Sequence, residues 1–325
     1  MWTYVLRRVL QAIPTILGVL FILFALFFMV SSPQKIAQRI LGEKATEEQV
    51  EQWVADHGYD KPLFWNSDPD PGTIAVTDTI FWNYMSDMLT FQFGASDLDD
   101  VPIGDKLKAG VGPSLTLTVP VFFVGLVFSI ATALVVSLFR GTYIDTMTTF
   151  LCVVGMSVVF FLYIIGGQFI FGRLLRWFPI SGFSMSHLVH FLMLPVVVGV
   201  IAGVSEQIRF YRTVMLNEAA RDYIRTARAK GLKYRTILRK HLLKNAMIPV
   251  LTNVVMRIPM LFLGALLTES FFGIPGLGRL LFESITNNDF RTMAALVYIS
   301  SLLYIFANII TDISYTWVDP RVRLS

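Results

Sequence analysis

The stretch RDYIRTARAKGLKYRTILRKHLLKNAMIPV, residues 221–250, is a dense cationic segment inside a chain that is otherwise apolar. Ten of the 27 Lys and Arg residues lie between positions 210 and 247, whereas 54% of all 325 residues are hydrophobic and only 15% are charged. Such a composition indicates that lipid is the main solvent of the chain. The segment is therefore interpreted as a polar loop between membrane spans.

Six stretches around this loop are apolar over about 20 residues, the length of helix that crosses a bilayer core. They are residues 9–30, 114–139, 147–172, 188–208, 247–271 and 293–316. The first is too long for the core of a cleaved signal peptide and lacks a small-residue cleavage site, so a retained helix is expected. The sequence predicts an all-α polytopic membrane protein with six transmembrane helices.

Basic residues near the span ends indicate the orientation. With six spans, one side of the membrane receives Arg7, Arg8, Arg140, the 209–244 cluster, Arg321 and Arg323. Basic residues are enriched on the cytoplasmic side, so both termini are expected there, although Arg173 and Arg176 fall on the other side. The net charge of +4 and the basic groups that flank the spans do not favour a nucleic-acid partner.

Residues 32–110 carry the opposite charge and are expected outside the cell membrane. They hold 14 of the 23 acidic residues against six Lys and Arg. Thr46 and Gln49 fit a capping box at the start of a helix that should end at Gly58. The segment is interpreted as a small cap between spans or, compatibly, as a docking surface for an extracytoplasmic partner.

The expected organisation has three parts. Residues 1–31 form an N-terminal span, residues 32–110 the acidic extracytoplasmic segment, and residues 111–325 a five-span core that includes the basic loop, residues 209–246. A single Cys and four scattered His give no disulfide or metal-ligand spacing, so no metal site is predicted. No catalytic residue is predicted either, because no convergent acid, base or nucleophile set is visible.

The basic loop has an ordered pattern. Asn217 is expected to cap a helix with Glu218 and Asp222 in its first turn, and Gly231 suits the position just after the helix end. A second helix would follow, and its apolar stripe consists of Tyr234, Ile237, Leu238, His241 and Leu242. Positive-inside topology or contact with anionic lipid would explain the charge alone. The stripe and the Ala/Gly positions favour docking into the groove of a partner.

Six segments in order resemble one transporter family. They are YVLRRVLQAIPTILGVLFILF (4–24), HGYDKPL (57–63), WFPISG (177–182), DYIRTARAKGL with HLLKNAMIPV (222–250), LTESFFGIPGLGRLLFESI (267–285) and DISYTWVDPRVR (312–323). The chain resembles the permease subunits of binding-protein-dependent ABC importers of type I fold. It is most similar to the B-type subunit of dipeptide, oligopeptide and nickel systems.

The resemblance implies a helix in the basic loop that couples to an ATPase, and two registers are open. The family motif is Glu-Ala-Ala, three residues, then Gly; a literal Glu218-Ala219-Ala220 exists, but Gly231 lies eleven residues further on. Counting back from Gly231 places the motif at residues 225–231, and we favour that register. The coupling residues implied are Arg225, Thr226, Ala227, Ala229, Lys230, Gly231 and Leu232.

The resemblance also implies partners and cargo. The expected partners are a second homologous permease, two cytoplasmic ABC ATPases, an extracytoplasmic solute-binding protein and membrane lipid. This chain would bind no cofactor, because it lacks a phosphate-binding Gly-x-x-x-x-Gly-Lys-Ser/Thr loop; ATP and Mg²⁺ belong on the ATPases. Peptides are the expected cargo, with nickel chelates, oligosaccharides or opines as alternatives within the family.

Pathway or gate residues are sought among polar and turn-forming groups at membrane depth. The candidates are Arg257, Glu269, Pro275, Gly276 and Gly278. Arg257 either meets a peptide carboxylate or forms a structural contact, and the Pro275–Gly278 turn either lines the outer mouth or merely joins two helices.

The chain departs from the family at two places. The third span reads Gly-Met-Ser-Val-Val at residues 155–159, without the proline of the family's Ser-x-Pro kink, and the segment 173–187 is short. Both departures bear on the size of the cargo.

Two other classes remain as competitors. A secondary transporter is expected to show inverted repeats, and none is clear between residues 1–172 and 188–325. A membrane enzyme would need a set of reactive side chains that the chain does not supply.

Overall fold

The computed structural model describes residues 2–29, 32–42, 45–67, 74, 77–233, 236–262 and 265–318. These residues form thirteen α-helices and, apart from one isolated bridge between Ala95 and Pro102, have no β pairing. The helices are α1 (Trp2–Phe24), α2 (Pro33–Leu41), α3 (Glu47–Asp56), α4 (Ile80–Leu89), α5 (Ile103–Leu138), α6 (Tyr143–Ser157), α7 (Phe160–Gly167), α8 (Leu188–Ala219), α9 (Asp222–Ala229), α10 (Lys244–Phe262), α11 (Leu266–Phe272), α12 (Leu277–Thr286) and α13 (Phe290–Val318). The all-α prediction is confirmed.

Four helical stretches among the described residues are long and apolar enough to cross a membrane. They are Leu10–Phe28, Ile103–Leu138, Met185–Ala219 and Phe290–Ile310. A fifth is obtained if the bent pair Tyr143–Ser157 and Phe160–Leu174 counts as one span. The predicted span 247–271 falls on α10 and α11, on either side of residues 263–264, which lie outside the described part of the chain. That span stays a prediction, as does the side occupied by Arg321 and Arg323.

The predicted third span, residues 147–172, is broken rather than continuous. Its two helices meet at an angle of 94°, although no proline is present. Val158 and Val159 adopt extended backbone (ψ 127° and 137°), the conformation that suits β-branched residues. The Tyr163 hydroxyl donates to the carbonyl oxygen of Gly155 at 2.7 Å. The Gly155 carbonyl near the break therefore has a hydrogen-bond donor within the chain, as a lipid environment requires.

One compact unit consists of residues 1–111 and 277–309. Its core joins α1 to α4 through aromatic rings: Phe24 stacks on Phe28 with centroids 5.1 Å apart and meets the edge of Phe81 at 5.0 Å. The capping box at α3 is confirmed, since Thr46 and Gln49 exchange both hydrogen bonds, and the helix ends before Gly58.

Two buried aspartates hold the start of α13 in this unit. Asp289 accepts the Thr292 backbone N–H at 3.2 Å and the Ser96 hydroxyl at 2.6 Å. Asp97 accepts the Arg291 backbone N–H at 3.1 Å and lies 3.3 Å from its guanidinium. Burial raises the pKa of the Asp97 carboxyl, and the charge of Arg291 opposes that rise. The acidic segment is thereby tied to a helix almost 200 residues later in the chain.

The other compact unit consists of residues 112–276 and 310–325. Here α8 is the central element, because α6, α7 and α10 all pack against it. The approach of α6 is very close at Gly155: a Cβ atom built there lies 2.3 Å from the Ser205 side-chain oxygen and 3.2 Å from its Cβ. A side chain at residue 155 would force the Ser205 hydroxyl to turn away and the Ser205 Cβ to shift. The two units reflect packing, whereas the three parts expected from the sequence were defined by position in the membrane.

Replacing Gly155 by Ala is expected to lower the unfolding free energy by about 1–3 kcal/mol, the usual cost of overpacking. Gly166→Ala is the matched control, because a Cβ at that helical glycine meets nothing within 4 Å. We expect the thermal midpoint of the detergent-solubilised chain to fall for Gly155→Ala and to stay or rise for Gly166→Ala. The loss of unfolding free energy caused by Gly155→Ala should be smaller in a Ser205→Gly background. An unchanged loss in that background would contradict the close contact.

Candidate functional site

The basic loop, residues 209–246, begins within α8 and contains α9, which packs by one face. Ile224 and Ala227 are 1% and 4% exposed. They pack with Tyr211 and Met215 of α8 in one apolar cluster. This cluster, together with Ile237 and Leu242 of the segment that follows, forms the apolar seat of α9, and α9 packs mainly on that segment, Ile237–Leu243.

A hydrogen bond reinforces the seat. The Tyr223 hydroxyl donates to the Glu218 carboxylate at 2.5 Å. Burial, together with this bond, raises the pKa of the Tyr223 phenol. The phenol thus stays protonated at neutral pH and remains the donor.

The end of α9 at Gly231 has the geometry that the sequence predicted. Gly231 has φ of +71°, in the left-handed region that favours glycine. Its N–H donates to the Arg228 carbonyl at 2.9 Å, and the Leu232 N–H donates to the Ala227 carbonyl at 3.3 Å. These two bonds form a Schellman motif, which satisfies the last carbonyls and stops the helix.

Six of the seven candidate coupling residues are exposed, whereas Ala227 faces inward. The exposed residues are Arg225, Thr226, Ala229, Lys230, Gly231 and Leu232. The Arg225 side chain is 77% exposed, and its ion pair with Asp222 at 3.4 Å is also on the surface. The outer face of α9 is therefore cationic and open, and its inner face is apolar and filled.

Two details of the loop were predicted wrongly. Asn217 does not cap a helix, because α8 continues through it to Ala219 and α9 begins at Asp222. The helix of the span continues further than the polar sequence suggested, because extending an existing helix costs much less free energy than starting a new one. Glu218 consequently belongs to the last turn of α8, and of the two predicted acidic residues Asp222 alone lies in the first turn of α9.

The apolar stripe after Gly231 packs inside the chain and not in a partner groove. Ile237 and Leu242 are 3% and 6% exposed and join the cluster around α9. The segment Ile237–Leu243 is a π-helix, so the buried positions are five residues apart. Leu238 is partly buried in the same cluster, and Tyr234 lies outside the described residues. The argument for docking consequently rests on α9 and no longer on the stripe.

Arg257 lies beside an intramembrane cavity of the second unit. Its guanidinium is 3.1 Å from the Glu206 carboxylate, with side-chain exposures of 30% and 66%. The cavity has a volume of about 290 Å³ and lies between α5, α8 and α10. Its lining includes Arg257, Gln207, Thr118 and Thr268 among apolar side chains. Arg257 is thus ion-paired and still faces a space of ligand size.

Glu269 and the turn after it are packed rather than open. Glu269 is fully buried and accepts hydrogen bonds from the Ser114 hydroxyl at 2.8 Å and the Ala265 N–H at 3.0 Å. A Cβ atom at Gly276 would lie 2.3 Å from the Glu269 carboxylate. Pro275 is exposed, and Gly278 is buried within the first turn of α12. Glu269 and Gly276 are therefore in contact, and a gate at this turn would have to break that contact.

Sequence reasoning overlooked Glu206 and Gln207. Glu206 lies within the predicted span 188–208, where an ionisable residue is costly and usually has a partner or a function. That depth was an available signal. The pairing of Glu206 with Arg257 could not be predicted, because the two residues are 51 positions apart in the sequence.

Comparison with known proteins places the chain in a family. Residues 114–324 match the family described as the inner membrane component of binding-protein-dependent transport systems. The glutathione transport system permease protein GsiC of Shigella flexneri serotype 5b (strain 8401) is 29% identical over 326 residues, covering 99% of both chains. The protein of the same name from Escherichia coli (strain K12) is 29% identical over 323 residues, again 99% of each chain.

A solved structure supports the fold. The MetNI methionine ABC transporter, in inward-facing conformations, matches with a TM-score of 0.53 and 16% identity over 67% of this chain and 98% of the other. The predicted type I importer permease fold is thereby confirmed. The chain belongs to the inner membrane components of binding-protein-dependent transport systems: it is a non-catalytic, multi-pass membrane permease subunit of an ABC importer of the peptide/nickel type.

Proposed function

We propose that this chain and a second, homologous permease subunit together form a translocation pathway for di- and oligopeptides. Two ABC ATPases on the cytoplasmic side would bind ATP and Mg²⁺ and drive the transport, and an extracytoplasmic solute-binding protein would deliver the cargo. Both termini and the basic loop would face the cytoplasm. This chain itself would bind no cofactor.

The observation that carries the coupling role is the exposed cationic face of α9 above a filled apolar seat. A helix held in this way can pass force to the spans, because α9 packs on the segment Ile237–Leu243, which packs on α8 and leads into α10. The residues that would contact the ATPase are the six exposed members of the coupling set: Arg225, Thr226, Ala229, Lys230, Gly231 and Leu232. The literal Glu218-Ala219-Ala220 ends α8 instead, which supports the register that ends at Gly231.

Peptide cargo is supported by the relatives and by one side chain. The relatives are named for glutathione, a tripeptide. Arg257 lines the intramembrane cavity and could exchange Glu206 for a peptide carboxylate. Nickel chelates, oligosaccharides and opines are the alternatives within the family, and an ATP-independent secondary transporter is the alternative class.

Gly231→Asp is expected to leave the chain inserted in the membrane but to uncouple ATP hydrolysis from uptake. Asp tolerates a positive φ better than most residues, and a Cβ at Gly231 meets nothing within 4 Å, so the fold should survive. Gly231→Asn is the matched control, with equal size and no charge. Uptake and ATPase activity should be measured in proteoliposomes; normal coupling in Gly231→Asp at normal protein level would contradict the proposed docking surface.

Arg257→Gln is expected to reduce peptide uptake, because the cationic group that lines the cavity is lost. Glu206→Gln removes the same ion pair but keeps the cationic group, so uptake should persist. Thermal midpoints and uptake rates should be measured for both variants, to separate a loss of stability from a loss of transport. Equal losses of uptake in the two variants would assign the pair a purely structural role.

The cargo is tested with the complete importer and its own binding protein. Di- and tripeptides, including glutathione, are expected to stimulate ATP hydrolysis and to accumulate in proteoliposomes. Stimulation by nickel chelates or oligosaccharides alone would overturn the peptide assignment. Uptake by the chain without any ATPase would instead indicate a secondary transporter.

A further inference from the structure

A second cavity of the same unit lies where two membrane helices end. It has a volume of about 250 Å³. Leu138, the last residue of α5, and Ala219, the last residue of α8, both line it. The cavity therefore adjoins the end of the apolar stretch of α5, while Ala219 lies beyond the predicted span 188–208 of α8.

The lining of this cavity is apolar except for two arginines and one serine. Leu216, Ile224 and Leu242 are among its apolar side chains, while Arg140 and Arg228 supply the charge. None of the described lining residues is acidic. The cavity thus combines an apolar floor with two cationic groups.

The carboxylate near Arg140 is already neutralised by another residue. Asp145 receives the Arg212 guanidinium at 2.6 and 2.7 Å and the Gly141 N–H at 3.0 Å. In the described part of the chain, no carboxylate lies within 4.0 Å of Arg140. Among these residues, the Arg140 guanidinium therefore forms no direct ion pair.

The carboxylates near Arg228 are also occupied. Glu218 accepts from Tyr223 at 2.5 Å and lies 3.8 Å from Arg221, and Asp222 pairs with Arg225 at 3.4 Å. Among the residues that the structure describes, Arg228 likewise has no carboxylate at ion-pair distance. Among the described residues, the two cations at this cavity therefore form no direct ion pair, although the loop contains acidic residues that could have served.

We infer that this cavity binds the phosphate headgroup of an anionic phospholipid. Arg140 and Arg228 would bind the phosphate, and the leucine and isoleucine side chains would contact the first methylene groups of the acyl chains. Basic pockets between membrane helices recognise anionic headgroups in this way. The apolar floor and the position beside the end of the α5 span favour a lipid over a soluble phosphate. The lipid would connect the end of α5 to α9, and its binding does not require that α9 contact an ATPase.

The inference is tested by native mass spectrometry of the full chain, purified in mild detergent with its co-purifying subunits and titrated with phosphatidylglycerol or phosphatidylcholine. We expect selective retention of phosphatidylglycerol. The double variant Arg140→Gln/Arg228→Gln should weaken this retention about 30-fold, as expected for two basic residues at an anionic surface. The matched control Arg221→Gln/Arg225→Gln removes two charges from the same region and should leave retention largely unchanged, because neither residue lines the cavity.

Three results would overturn the inference. Equal losses in both double variants would mean general attraction of lipid to the basic loop. Displacement of the lipid by an equal concentration of soluble glycerol phosphate would mean a site for a phosphate ester without chains. Unchanged lipid retention, with loss of co-purifying ATPase from Arg140→Gln/Arg228→Gln, would mean that a protein occupies the cavity. The elution profile on size exclusion verifies that each variant is folded.

Discussion

The apolar seat of α9 determines which residues of the basic loop remain available to a partner. Ile224 and Ala227 are buried in one apolar cluster with Ile237 and Leu242, so one face of α9 is committed to the chain. Burial of these side chains stabilises the seat by about 25 cal/mol per Å² of apolar surface. The opposite face is then free to carry charge without any cost in packing. The inner face of α9 is therefore fixed by packing, whereas the residues of its outer face are not.

Local features of this protein were predicted from the sequence more accurately than the boundaries of its helices. The capping box at Thr46 and the left-handed Gly231 depend on a few neighbouring residues, and both were found where expected. The start of α9 was misplaced because nothing near Asn217 opposes the extension of an existing helix. The stripe at Ile237 and Leu242 was recognised as apolar, but an apolar face does not say which surface covers it. Here the chain itself covers it.

Contacts between distant positions were beyond sequence reasoning. Glu269 was identified as an ionisable residue at membrane depth, but its hydrogen bond with Ser114 joins positions 155 residues apart. The same holds for Arg257 and Glu206, at a separation of 51. Each pair is formed by helices that meet only after folding. A polar residue within a predicted span indicates that it has a partner, because an unpaired polar group in lipid is costly. A single sequence does not identify that partner.

The break in the third span has a consequence for motion. A proline at the bend would have removed a backbone N–H and made the kink permanent. Val158 and Val159 both keep their N–H groups, so no covalent feature prevents α6 and α7 from joining into one straight helix. The bond from the Tyr163 hydroxyl to the Gly155 carbonyl favours the bent form, and such a bond contributes about 1 kcal/mol net. The angle between the two halves is therefore an equilibrium property, which cargo, lipid or a partner subunit could shift toward the straight form.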